Sequence, residues 1–193
     1  MQPVNAPENK NEEEMHWELT LPQPAEAEAA APALDADGFA GFYERTARPL
    51  WGYLARASGD HALAEDLAQE SFVRFLASDR LAEVMAEGEV AARRFLFRIA
   101  SNLLRDHWRR PAAQSVALPM EIEAADELQG NEARLMIEPV LQQMKPRERQ
   151  LLWLAYAEGY AHREIAEITG LAEMSVRLLL FRARRRMLKL LAT

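Results

Sequence analysis

Cysteine is absent from the 193-residue sequence, which excludes a disulfide framework, a thiol nucleophile and a thiolate-bound zinc. Glycine is scarce, at eight residues, and valine is thin beside alanine, leucine, glutamate and arginine. That balance favours helix over sheet. No apolar run approaches the roughly 18 residues of a membrane span, and the acidic N-terminus lacks the basic-then-apolar order of a signal peptide. A cytoplasmic protein with no membrane insertion is expected. Histidine is sparse as well: His16, His61, His107 and His162 stand at no metal-ligand spacing, and neither a phosphate-cradling glycine loop nor a nucleophile motif occurs. The expectation is therefore a protein that is not an enzyme, with no metal and no cofactor.

What the chain does have is charge, unevenly distributed. The formal net charge of -7 would repel a polyanion if it were spread evenly, but asymmetry between segments says more about partners than the total. Residues 1 to 38 carry nine acids against one lysine, and residues 111 to 140 carry six acids against one arginine. Between them, residues 39 to 110 are nearly balanced, with ten acids and eleven bases, and residues 141 to 193 carry ten bases against five acids.

The organisation follows the same division. Residues 1 to 38 are proline-rich and contain a low-complexity EAEAAAPA stretch, so a disordered acidic extension is expected, interrupted by the alternating island Trp17-Glu18-Leu19-Thr20-Leu21. A first helical domain is expected over residues 39 to 110. In it Phe39, Phe42 and Tyr43 share one side of a helix that Pro49 would kink or divide. Ser58-Gly59-Asp60 supplies a stop and then an N-cap for a helix from His61 to Leu76, with Leu63, Leu67, Phe72, Phe75 and Leu76 toward the core. The next long helix runs from about Val90 to Arg110, where Pro111 ends it. Residues 111 to 138 read as an acidic linker with at most a short helix near Glu132 to Ile137. A second helical domain occupies residues 139 to 193, broken at Lys145-Pro146, Glu158-Gly159 and Thr169-Gly170. The fold class expected is all-α, two small helical domains joined by a flexible linker.

Two helices carry chemistry. On the helix ending at Arg110, Leu96, Ile99, Ala100, Leu103 and His107 share one face, while Arg94, Arg98, Asn102, Arg105 and Arg109 form a stripe on the other. Guanidinium forks match phosphate and an amide can bond a base edge; Phe95, Phe97 and Trp108 add surface of the kind that stacks on unpaired bases. The same pattern also suits a solvated basic face beside core aromatics. Near the C-terminus, Arg163 to Ile168, the turn Thr169-Gly170-Leu171 and Glu173 to Leu190 spell helix, turn, helix. Val176, Leu180, Ala183 and Met187 make the buried stripe, and Arg177, Arg182, Arg184, Arg185, Arg186 and Lys189 the outward side. A basic second helix on a short turn suits the major groove; the alternative is a helical hairpin with a cationic surface.

These units together resemble the two conserved regions of bacterial sigma factors, specifically the compact extracytoplasmic-function (ECF) group of the sigma-70 family. Asp66-Leu67-Ala68-Gln69-Glu70-Ser71-Phe72 is similar to the DLxQExF signature of region 2. Phe95 to Asn102 with Asp106 to Arg110 resembles that region's promoter-melting segment, and Met144 to Arg149 with the helix-turn-helix resembles region 4. The resemblance covers residues 39 to 110 and 139 to 190.

It implies roles residue by residue. Asp66, Leu67, Gln69, Glu70 and Phe72 would dock on the coiled coil of the β′ subunit of core RNA polymerase, whose β′ and β subunits are both implied partners. Asn102 would capture a flipped base of the minus-ten element, with Arg98, Arg105, Trp108, Arg109 and Arg110 on the same DNA. Arg177, Phe181, Arg182, Arg184 and Arg185 would lie along the minus-thirty-five element. Implied partners are core polymerase, promoter DNA and an anti-sigma factor, and the implied activity is promoter recognition and opening in transcription initiation. Region 4 departs from the family's pattern at Ala161, where a Ser or Thr cap is usual, at Ala172 and Met174 before the recognition helix, and at Leu178-Leu179, which replace a polar pair. Those leucines suit contact with thymine methyls, packing on another protein, or a differently rotated helix. A sigma-like regulator that does not direct initiation by itself and a helical protein-binding adaptor are the competing readings.

Overall fold

The computed structural model describes residues 36–109 and 131–192. In order, the helices are α1 (Ala36–Ser58), α2 (His61–Leu76), α3 (Leu81–Ala86), α4 (Glu89–Arg109), α5 (Asn131–Gln142), α6 (Pro146–Tyr156), α7 (His162–Thr169) and α8 (Glu173–Leu191), with no strand among the described residues. The chain is all-α. Most of the acidic extension, the Trp17–Leu21 island, Arg110 and the greater part of the linker lie outside the described residues.

Local chemistry sets the helix ends. Gly59, at φ +77°, turns the chain out of α1, and the Asp60 carboxylate accepts the Leu63 N–H at 3.0 Å, satisfying a donor that the start of α2 leaves unpaired. At α6, Pro146 occupies the first turn, where no N–H is needed, and Glu148 accepts the Lys145 N–H at 2.9 Å. The same device explains why Ala161 suffices before α7: Glu164 reaches back to accept the Ala161 N–H at 2.9 Å. Gly170 ends α7 in the left-handed conformation, at φ +70°.

One proline expectation needs correction. α1 continues through Pro49 instead of dividing there, with Leu50, Tyr53, Leu54 and Ala57 all buried beyond it. Burial of that apolar face outweighs the lost hydrogen bond. The short helix expected near Glu132 to Ile137 is part of the longer α5, which continues through Pro139 to Gln142; Glu138 pairs with Arg56 of α1 at 3.0 Å.

The core face of α2 keeps Phe72 and Phe75 of the expected stripe but not its leucines. Ala64, Ala68, Ser71, Phe72 and Phe75 are buried, Leu67 sits at the edge of the core, and Leu76 is exposed. Small residues at the centre of the face let α1 and α2 approach closely, leaving the leucines to the flanks. Phe42 of α1 then stacks on Phe75 of α2 with ring centroids 5.2 Å apart. Leu96, Phe97, Ala100 and Leu104 of α4 complete this half of the core.

The other half is built from Leu141 and Met144, Leu151 and Leu154 of α6, Ile165 and Ile168 of α7, and Val176, Leu180 and Ala183 of α8. The two halves share one hydrophobic cluster. α6 packs on α1 and α7 on α4, and the edge of Tyr160 meets Phe97 at 5.7 Å between centroids. A buried polar network crosses the same boundary: Gln150 donates to the Tyr53 hydroxyl at 2.6 Å, and Tyr53 shares a 2.7 Å hydrogen bond with Ser101. Burial pushes the Tyr53 hydroxyl up to about 12, so it remains a neutral donor and acceptor. Arg149 donates to the carbonyls of Ala57 at 3.2 Å and Ser58 at 3.0 Å, closing the C-terminal end of α1.

Candidate nucleic-acid interface

α4 presents its polar stripe away from the first half of the core, but that stripe is only partly open. Arg94 donates to Glu164 at 3.2 Å and lies 3.6 Å from Glu167, both on α7. Arg105 donates to the Asn102 side-chain oxygen at 2.8 Å and to the Thr169 carbonyl at 3.3 Å. A guanidinium at the last carbonyls of α7 is favourable because the helix C-terminus is electronegative. Arg98 and Arg109 are exposed. Of the four guanidiniums expected to face an anion, two are therefore engaged by α7. The approach is close: a Cβ on Gly170 would lie 2.8 Å from an Arg105 nitrogen.

The aromatics flanking the stripe are separated by the fold as well. Phe97 is fully buried, so it has no surface for a base, contrary to the stacking role expected from sequence. Trp108 is half-buried and has the Arg147 guanidinium over its ring at 5.5 Å. Phe95 is half-buried: with Arg74, Ala77, Ser78, Asp79, Arg80, Ile99 and Asn102 it lines a surface cavity of about 370 Å³. The Arg80 guanidinium lies over Phe95 at 5.4 Å. Asn102 thus opens on a hollow with an aromatic wall and a cationic rim, where a planar polar group can stack and hydrogen-bond. Sequence reading missed Arg74, Ser78, Asp79 and Arg80, because they come from the end of α2 and the following turn. The only local signal was the polar Ser78-Asp79-Arg80 run between two apolar segments.

On α2, Asp66, Gln69 and Glu70 are exposed, and Glu70 pairs with Arg74 one turn on at 2.7 Å. Leu67 is half-buried. Phe72 is buried, with its ring against Tyr43 at 4.7 Å and Phe39 at 6.4 Å between centroids; it anchors α2 to α1 and cannot itself reach a partner. Val73, 60% exposed, lies on the same face as Asp66, Gln69 and Glu70 by helical spacing. It was missed because an isolated valine reads as core.

α8 turns Val176, Leu180 and Ala183 inward, as its periodicity required. Arg177, Phe181, Arg182, Arg184 and Arg185 are exposed; Arg177 pairs with Glu173, and Arg185 lies over the Phe181 ring at 5.9 Å. Arg186 departs from the expected outward set. It donates to the Gln143 carbonyl at 2.9 Å and lies 3.5 Å from Glu148, tying α8 to α6 and the chain before it. The remaining cationic surface of α8 is suited to phosphate, and α8 follows a short glycine turn as a groove-entering helix does.

Comparisons with known proteins agree with this arrangement. Residues 42–114 match the family model "Sigma-70 region 2" and residues 134–187 match "Sigma-70, region 4". The chain is 30% identical over 155 residues to the "ECF RNA polymerase sigma factor SigL" of Mycobacterium tuberculosis, covering 77% of this chain and 86% of that protein. It is 31% identical over 152 residues to the "RNA polymerase sigma factor CarQ" of Myxococcus xanthus, covering 74% and 82%. Among solved structures, the sigma factor RpoE of Bartonella quintana, crystallised with the anti-sigma factor NepR, superposes with a TM-score of 0.65 at 20% identity, covering 80% of this chain and 97% of that one. This last likeness is one of fold.

Proposed function

Since the chain belongs to the ECF group of RNA polymerase sigma factors, we propose that Asn102 and the hollow beside it receive a base extruded from the minus-ten element. The protein is a transcription-initiation factor whose partners are core RNA polymerase and promoter DNA, and it is subject to an anti-sigma factor. The carrying observation is the cavity of about 370 Å³ that joins Asn102 to Phe95 and Arg80. Phe95 offers a stacking face, the Asn102 amide a hydrogen-bonding edge, and Arg74 and Arg80 cations for the adjacent phosphates. Arg98, Arg105, Trp108, Arg109 and Arg110 serve the surrounding strand, and Arg177, Phe181, Arg182, Arg184 and Arg185 the minus-thirty-five element. Asp66, Gln69 and Glu70, with Val73 among them, form the polymerase-docking face, while Leu67 and Phe72 hold it in place.

In the structure described, Arg94 and Arg105 are held by α7. Use of the full stripe on DNA requires α7 to move off α4, and polymerase, which engages both regions at once, supplies the competing contacts.

The test is reconstitution of full-length protein with core polymerase and mapping of transcripts and strand opening on genomic fragments. Promoter-specific initiation is expected, with Asn102→Ala reducing opening much more than polymerase binding. Equal loss of both would remove Asn102 from the base-capturing role; polymerase binding without specific initiation would favour the sigma-like regulator instead.

A further inference from the structure

The side of α8 opposite its buried face carries an apolar strip. Met174, Leu178, Phe181 and Leu188 are 73%, 48%, 51% and 67% exposed. At about 100° per residue, these four and Arg185 fall within an arc of roughly 80°, centred almost opposite Val176, Leu180 and Ala183. Exposed cations flank the strip along its length, Arg177 and Arg184 on one side and Arg182 and Lys189 on the other. Met174, Leu178 and Phe181 form its unbroken apolar part, and Arg185 separates them from Leu188; an exposed apolar run of this kind marks a surface that a partner covers. Its occupant must offer apolar groups to Met174, Leu178 and Phe181, an acceptor to Arg185, and anionic groups along both borders.

Duplex DNA has that cross-section in its major groove, where phosphates line both walls and thymine C5-methyl groups project from the floor. An acidic amphipathic helix can also carry acids on both flanks of an apolar stripe; DNA is favoured because α8 is the second helix of a helix-turn-helix, the one that enters a major groove. Leu178, one turn from both Met174 and Phe181, narrows the chemistry further. Leu178 has neither donor nor acceptor, so hydrogen-bonded readout of a base edge is closed to it, and the thymine methyl is the one groove-floor feature it can recognise.

We propose that Leu178, supported by Met174 and Phe181, reads thymine methyl groups in the upstream promoter element, so that α8 selects thymine there by apolar contact. The proposal rests on α8 facing promoter DNA, and the experiment separates the two. Holoenzyme reconstituted from the full chain and core polymerase selects its promoter from a pool of random-sequence duplexes. The upstream element so obtained is resynthesised with deoxyuridine replacing each thymine in turn, which removes the methyl group and leaves every hydrogen-bonding group in place. For at least one thymine the wild-type holoenzyme should bind about three- to fourfold more weakly, the effect of losing one buried methyl. Leu178→Ser, at an exposed position, should bind the thymine and deoxyuridine duplexes equally.

Insensitivity of the wild type at every thymine, equal sensitivity of Leu178→Ser, or a selected element without thymine would overturn the methyl reading. If Arg182→Ala still weakens binding to the element in those cases, α8 faces DNA and only the apolar readout is wrong. If neither Arg182→Ala nor Leu178→Ser changes binding, both readings fall and the strip is a protein-docking surface.

Discussion

Replacing Tyr53 by Phe removes one oxygen from the most buried polar network in the protein. Tyr53 and Gln150 are fully buried and Ser101 nearly so, and the hydroxyl joins Gln150 at 2.6 Å to Ser101 at 2.7 Å. Gln150 keeps its bond from Arg147, at 2.8 Å to its side-chain oxygen, but its amide nitrogen loses its partner. The Ser101 hydroxyl loses Tyr53 as well. Leaving a buried donor or acceptor unsatisfied costs about 1–3 kcal/mol. Because Ser101 can rotate toward a backbone carbonyl of its own helix, the loss should fall mainly on Gln150, at about 2 kcal/mol in all. For a chain of this size that lowers Tm by roughly 4–8 °C. Urea unfolding at neutral pH measures the change directly. The triple variant Tyr53→Phe, Gln150→Leu, Ser101→Ala should regain part of the loss, since it removes the three groups that bond one another while the half-buried Arg147 gives up its acceptor on Gln150. A loss below about 0.5 kcal/mol for Tyr53→Phe would refute the reasoning, since water would then reach Gln150 and Ser101 and the α1–α6 contact would not be a sealed core.

Three further outcomes are expected. Alkaline titration should destabilise the fold through the window from 10 to about 12: Tyr53 and Tyr160 are held neutral by burial up to about 12, the unfolded tyrosine ionises near 10, and the stability they contribute is complete below that lower value and lost as pH rises through the upper one. In a variant with the exposed Tyr43 and Tyr156 replaced by Phe, tyrosinate absorbance that rises well before unfolding would contradict this. Gly170→Ala forces a side chain into φ +70° and displaces Arg105, and should cost about 1–2 kcal/mol, seen in urea unfolding together with weakened protection of the α7 amides; an unchanged midpoint would mean that the turn relaxes. Arg182→Ala should lower the salt dependence of holoenzyme binding to its promoter by about one unit of log–log slope; an unchanged slope would place Arg182 away from phosphate.

The helices and their ends were legible because their causes are local. Asp60 caps α2 from the adjacent turn, Gly170 ends α7, and the stripe Val176, Leu180, Ala183 repeats at helical spacing within one segment. Where two local signals conflicted, the chain's neighbours decided. Pro49 suggested a kink or a division, yet α1 runs on through it to buried residues. The alanines of α2 illustrate the same limit, since hydrophobicity ranks leucine above alanine whereas close helix packing puts the smaller side chain at the centre of the contact.

The motifs at Asp66–Phe72, Phe95–Arg110 and Met144–Leu190 were sufficient by themselves for the all-α class, the two-region organisation and the sigma-factor family, because each depends on residue type at fixed local spacing. Only the tertiary structure decided which of those residues are accessible. Periodicity places Arg94, Arg105 and Phe97 around the axis of α4 but is silent about what lies across from each; their partners Glu164, Thr169 and Tyr160 are more than sixty residues away in the chain. The packing of α7 on α4 takes two guanidiniums from the basic stripe, that of Tyr160 on Phe97 closes off an aromatic, and the convergence of α2, its following turn and α4 opens the cavity at Asn102. Contacts so distant in sequence are set by the shape and charge of two finished surfaces, and no single stretch of the chain contains both.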